Sequence, residues 1–157
     1  MLKLDHVVFP TADPAASLEF YQGTLRLPLA QVVTGDDWGG RPWLMMAFAL
    51  AEGRELVLTA LRGAPPPAKD ELPADARHYA FAVDTETERL AWRARLADAG
   101  VPFWEEDHGD QQSIYFEDPN GIVLEITSPP SQTRAEANPE ALARARAWIA
   151  ESLALTG

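Results

Sequence analysis

The stretch SIYFEDPNGIVLE, Ser113–Glu125, decides the fold. Two apolar runs flank Asp118-Pro119-Asn120-Gly121, with proline at the second turn position and glycine where φ must be positive. That chemistry predicts a type I turn closed by a glycine bulge, a three-residue hairpin loop in which Asp118 pairs with Ile122. Counting outward along the strands, Tyr115 then stands across from Glu125 on the same face. A two- or four-residue loop would reverse that parity and turn Tyr115 away, and an ordinary cross-strand aromatic is the plain alternative to a functional one. Glu125 lies inside the apolar run Ile122–Ile126, where an unpaired carboxylate is costly to desolvate. Either its face is wet, as on an edge strand, or something positive stands opposite.

Working upstream, His78–Val83 reads as a strand, Thr85 and Glu88 form a capping box opening a helix that ends at Gly100, and Val101–Glu105 precedes the hairpin strands Gln112–Glu117 and Ile122–Thr127. The same order stands at the N-terminus. LDHVVF is followed by the N-cap Asp13 with Pro14 at the first helical position, a helix to about Gln22, and strands Leu29–Thr34, Trp43–Leu50 and Glu55–Leu61. The two stretches match at an offset of 72 residues, His6 falling on His78, Phe9 on Phe81, Leu18 on Leu90 and Leu29 on Val101. The expected fold class is α+β, two βαβββ modules (1–62 and 77–130) forming an open, cup-shaped mixed sheet, joined by a proline-rich linker (63–76). From Asn138-Pro139 a C-terminal helix is expected within the tail 131–157, with Leu142, Ala145, Ile149 and Leu153 on one face, packing on the body or on a second subunit.

Because side chains alternate across a strand, His6 shares its face with Leu4 and Val8, and His78 with Ala80 and Ala82; Val7, Phe9, Tyr79, Phe81 and Val83 take the opposite, bulkier faces. The bulky face is the one a helix covers, which leaves the histidine face room for a cavity. A single such histidine reads most simply as structural. Two at matching positions, with a carboxylate buried in an apolar strand, read as metal ligands. Two imidazoles and one carboxylate with open positions suit Fe(II) or Mn(II), and Zn(II) or Ni(II) can occupy the same set. Aligning Gly53–Val57 on Gly121–Glu125 puts Val57 where a fourth ligand would stand, so the first half contributes His6, with Glu55 a weaker alternative. His108, in the loop before the Tyr115 strand, is a candidate acid or base, and Trp38 and Trp43 could wall an aromatic pocket.

The bulk composition narrows the classes. With 46% apolar residues over 157 the chain can build an ordinary core. A formal charge of −11 disfavours nucleic acid and anionic membrane as partners. The absence of cysteine removes disulfides, thiolate nucleophiles and Cys-based metal sites, so any metal must be held by His, Asp or Glu. No apolar run approaches the roughly 20 residues of a membrane span, and a soluble, cytoplasmic protein is the expectation.

At residues 2–130, the first-strand Leu4-Asp5-His6-Val7, the helix end Phe20-Tyr21 with Leu25 and Leu27-Pro28, and the run Ser113–Glu125 together resemble the vicinal-oxygen-chelate superfamily of glyoxalases, bleomycin-resistance proteins and extradiol dioxygenases. The resemblance implies paired modules around a divalent metal held by His6, His78 and Glu125, usually completed in a homodimer, so that His6 joins His78 and Glu125 from the other subunit. It also implies a small-molecule substrate chelating the metal through two neighbouring oxygens. Extradiol enzymes carry a tyrosine ten residues before the glutamate, as Tyr115 precedes Glu125, and the dioxygenase-like reading is preferred, with His108 and Tyr115 handling protons. Glyoxalase I chemistry is weakened by Val57. Fosfomycin-type thiol transferases need a cationic phosphonate pocket, yet no Lys or Arg occurs between Arg95 and Arg134. A metal-free sequestering protein of the bleomycin-resistance kind is the competing class.

Overall fold

The computed structural model describes residues 4–66, 76–131, 138–141, 143, 144 and 146. Strand β1 (His6–Pro10) leads through the N-cap Asp13, whose carboxylate accepts from the amides of Ala15 and Ala16, into α1 (Pro14–Leu18). The helix does not stop near Gln22 as its pattern suggests. It widens into a π-type turn over Glu19–Thr24, closed by the Leu25 amide on the Phe20 carbonyl. The widened turn lets the consecutive Phe20 and Tyr21 both enter the core, which a regular 3.6-residue spacing does not easily allow.

Strands β2 (Leu29–Gly35), β3 (Trp43–Ala49) and β4 (Glu55–Leu61) complete a four-stranded sheet ordered β1-β4-β3-β2, with β1 parallel to β4 and the other pairs antiparallel. The second half repeats the arrangement: β5 (His78–Ala82), α2 (Glu86–Asp98), β6 (Phe103–Asp107), β7 (Gln112–Glu117) and β8 (Val123–Ser128) form a sheet ordered β5-β8-β7-β6. The Thr85–Glu88 capping box is formed, and Gly100 takes the left-handed conformation after the last turn of α2. Strand β6 begins two residues later than the apolar pattern suggests. The Val101 amide still closes α2 on the Leu96 carbonyl, and Pro102 has no amide to offer a ladder.

Both sheets turn their bulky faces to one shared core. Phe9, Phe48, Leu56 and Leu58 of the first half meet Leu96, Ile114, Phe116, Leu124 and Ile126 of the second in a single cluster, and the Phe9 and Tyr79 rings pack with centroids 4.3 Å apart. The turn that fixes the β7–β8 register also ties the halves together. The Asp118 amide donates to the Ile122 carbonyl and Gly121 adopts φ 77°, as the bulged three-residue loop requires. Asp118 then accepts from the buried Tyr21 hydroxyl at 3.1 Å, and Asn120 accepts from Thr11 Oγ1 and the Ala12 amide while donating to Ser17. Burial first, then the adjacent Asp118 charge, pushes the Tyr21 phenol far above its ordinary value, so it stays a donor.

Arg89 of α2 is buried against Glu86 and Glu105, and Arg93 adds a second bond to Glu105, joining the helix to β6. Helical backbone resumes at residue 139, with Asn138 capping the amides of Glu140 and Ala141. The apolar face expected there at Leu142, Ala145, Ile149 and Leu153 lies outside the described residues, as does 67–75 of the expected linker. Among the described residues no helix is long and apolar enough to cross a membrane.

Candidate metal centre

Register decides what the open face of the second sheet presents. The pairings Ala80↔Glu125 and Glu125↔Tyr115, with Tyr115↔Trp104 beyond, set one row across β5, β8, β7 and β6, and Thr127↔Ser113↔Glu106 sets the next. His78, two residues before Ala80, is on the same face. Its partners Tyr79 and Phe81 pack into the core, so the alternation read from the sequence holds.

Glu125 is 6% exposed, and His78 Nε2 stands 3.1 Å from its Oε2. The buried acid therefore has the positive-capable partner that its desolvation demands. Its other oxygen, Oε1, accepts a short hydrogen bond from Ser113. Tyr115 lies beside this pair, edge-on to the His78 ring at 5.5 Å and stacked under Trp104 at 5.3 Å with the planes 15° apart. Burial and, after it, the Glu125 charge hold its phenol above the usual value. His108 closes the group from the β6–β7 loop, its Nε2 2.9 Å from the Tyr115 hydroxyl.

Four of the five residues singled out by sequence, His78, Glu125, Tyr115 and His108, thus converge. His6 does not join them within the chain. It lies on the open face of the first sheet, its Nδ1 2.8 Å from the exposed Asp5 carboxylate, and pairs in register with Glu55. Among the described residues no group of three His, Asp or Glu side chains is arranged to hold a metal ion inside one chain. The first half's row is Val8↔Val57↔Ala47, so Val57 does occupy the position that Glu125 holds in the second. Trp43 lines a separate cavity of about 600 Å³ with Thr34, Leu61 and Arg62, which shares no residue with the constellation, and Trp38 packs edge-on against Trp43.

Sequence reasoning missed Ser113, Thr127 and Trp104. The first two carried a readable signal, being small polar residues two positions from Tyr115 and Glu125 in otherwise apolar strands. Trp104 became legible only once β6 had a register.

As donors the residues suit a hard or borderline divalent cation. An imidazole nitrogen and a carboxylate oxygen stand 3.1 Å apart, with no thiolate present. The chain belongs to the Glyoxalase/Bleomycin resistance protein/Dioxygenase superfamily, whose family model matches residues 3–126. It is similar to the glutathione transferase FosA of Serratia marcescens, with 30% identity over 131 residues covering 78% of each chain. Among solved structures it resembles Oxidase ChaP-H2, at 27% identity and TM-score 0.57 over 84% of this chain and 97% of the other. It shares its fold with FosX from Listeria monocytogenes, solved with Mn(II) and 1S,2S-dihydroxypropylphosphonic acid, at 18% identity and TM-score 0.63 over 87% and 99% of the two chains.

Proposed function

We propose that this protein is a divalent-metal enzyme acting on a small substrate with two neighbouring oxygens, of catechol, hydroquinone or enediol type, with oxidase- or dioxygenase-like chemistry. The observation that carries the reading is the buried Glu125 carboxylate with His78 Nε2 3.1 Å away on an open sheet face. His78 and Glu125 are two of the ligands, and His6 of a second copy is the third, in a homodimer. Fe(II) or Mn(II) fits this set, the Mn(II) of the FosX structure being a precedent for the fold; Zn(II) or Ni(II) could replace them. When bound, the metal supplies Lewis acidity that favours the deprotonated form of a chelating hydroxyl.

The remaining roles fall to the chain's own groups. Trp104 and Tyr115 form an aromatic wall against which a planar substrate can lie. Tyr115, kept protonated by its surroundings, can donate a hydrogen bond to a substrate oxygen, and His108, 2.9 Å from the same hydroxyl, links it to solvent as a proton carrier. The acidic neighbours Glu106 and Glu117 give this face no counter-charge for a phosphonate, which favours a planar oxygenated substrate over fosfomycin.

A fosfomycin-type thiol transferase is the second reading, favoured by the 30% identity to the Serratia marcescens enzyme. Oxygen uptake with catechols and hydroquinones under Fe(II), set beside thiol consumption with fosfomycin under Mn(II), separates the two. Turnover in the first assay alone upholds the proposal, and turnover in the second alone replaces it. Elemental analysis of protein purified without added metal tests the ground both share; a metal-free protein that retains planar ligands would make it a sequestering protein instead.

A further inference from the structure

One row along the same face from Glu125 lies a buried polar pair that the metal reading does not use. Ser113 of β7 is fully buried; its hydroxyl donates to Glu125 Oε1 and lies 3.0 Å from Thr127 Oγ1, also buried. A serine hydroxyl has one proton. Glu125 Oε1 and Thr127 Oγ1 both stand as its acceptors, and the charged carboxylate is the stronger of the two. The other carboxylate oxygen, Oε2, faces His78 Nε2. One oxygen is thus tied to Ser113 and the other faces His78.

The first half supplies a natural comparison. At the corresponding register positions Thr59 answers to Thr127, but Met45 replaces Ser113 and Val57 replaces Glu125. There the Thr59 hydroxyl is buried without a hydrogen-bond partner among the described residues. The threonine is common to both sheets; the serine occurs only where there is a carboxylate to hold.

We propose that Ser113 is a positioning residue: it pins Glu125 Oε1, so that the carboxylate presents Oε2 alone as a one-oxygen ligand beside His78. The proposal rests on the metal reading above. Groups that orient metal ligands in this way change metal affinity by roughly 10–100-fold when removed. Freed from Ser113, the Glu125 carboxylate can rotate, and both the affinity and the symmetry of a bound ion change.

The test titrates full-length wild-type, Ser113→Ala, Ser113→Cys and His78→Ala protein with Mn(II), reading affinity by the loss of the free-ion signal in electron paramagnetic resonance and ligand symmetry by the spectrum of the bound ion. The expected result is Mn(II) binding weakened about 10–100-fold in Ser113→Ala, with an altered bound-ion spectrum, and weakened by a smaller factor in Ser113→Cys, whose thiol is a weaker donor. A merely structural serine would lower thermal stability and leave the bound-ion spectrum unchanged. Wild-type affinity and spectrum in Ser113→Ala overturn the proposal while leaving the metal reading intact. If Ser113→Ala does not fold, the near-isosteric Ser113→Cys decides, and unchanged affinity there overturns it. Failure of the wild type to bind Mn(II), equal to His78→Ala, overturns the metal reading and this inference with it.

Discussion

The two sheets have the same strand order, and their registers match except for a shift between Leu29 and Gln31 in β2, yet their open faces differ in kind. Where the first sheet sets Val8, Val57 and Ala47 in a row, the second sets Ala80, Glu125, Tyr115 and Trp104. Their core faces, by contrast, are interchangeable in character, Phe9, Leu56 and Leu58 against Phe81, Leu124 and Ile126. A repeated fold needs only its inward residues to agree, because burial of apolar area holds each sheet to the shared core. Its outward residues are released from that constraint, and here chemistry has collected on one copy while the other keeps a single histidine.

The most severe way to break this asymmetry is to remove the proposed ligands themselves. His78→Ala should weaken Mn(II) or Fe(II) binding by at least about 100-fold, whereas Val57→Ala, at the position matching Glu125, should leave metal content unchanged; equilibrium dialysis followed by elemental analysis reads both. His6→Ala should match His78→Ala if a second copy completes the site, and a mixture of the two variants should regain part of the binding through heterodimers carrying one intact site. Unchanged metal content in His6→Ala would confine the ligands to the second half.

Acid should act in the same direction. An imidazole must be neutral to ligate, so Mn(II) affinity should fall as the solution is made more acidic. A flat affinity from pH 5 to 8 would exclude histidine ligation.

A smaller effect is expected where the second half's turn holds the first. Asn120→Ala strips the acceptor from Thr11 and the Ala12 amide and should cost about 1–3 kcal/mol in urea unfolding. Glu52→Ala, in the exposed turn before β4, should stay within about 0.5 kcal/mol.

A comparably small effect is expected in the α2–β6 ion cluster of the second half. Hydrogen bonds from Arg93 and then Arg89 hold the Glu105 carboxyl below its ordinary value. Its folded pKa is therefore below its unfolded one, so its contribution to stability is present above the unfolded value near 4.3 and is lost as pH falls through the folded value. In Glu105→Gln that part of the acid limb should flatten, by under about 1 kcal/mol for so exposed a pair. An acid limb identical to that of the wild type would remove Glu105 from the account.

Local chemistry made much of this legible in advance. Proline and glycine in Asp118–Gly121 dictate one turn, the turn dictates one register, and the register puts Tyr115 opposite Glu125; the parity of His6 and His78 follows from strand alternation alone. The π-type turn at Glu19–Thr24 was not legible, because its gain is the simultaneous burial of Phe20 and Tyr21 against groups distant in sequence. Nor was the delayed start of β6 or the bond from Tyr21 to Asp118 across 97 residues.

The amino-acid order alone settled which elements form and which face each histidine takes, since both depend on backbone preferences and periodicity within a few residues. Only the folded chain decided which of those faces meet. It brought His78, Glu125, Tyr115, His108 and Ser113 to one place and left His6 on the other sheet, because the shared core fixes how the two sheets pack and no local pattern encodes that distance.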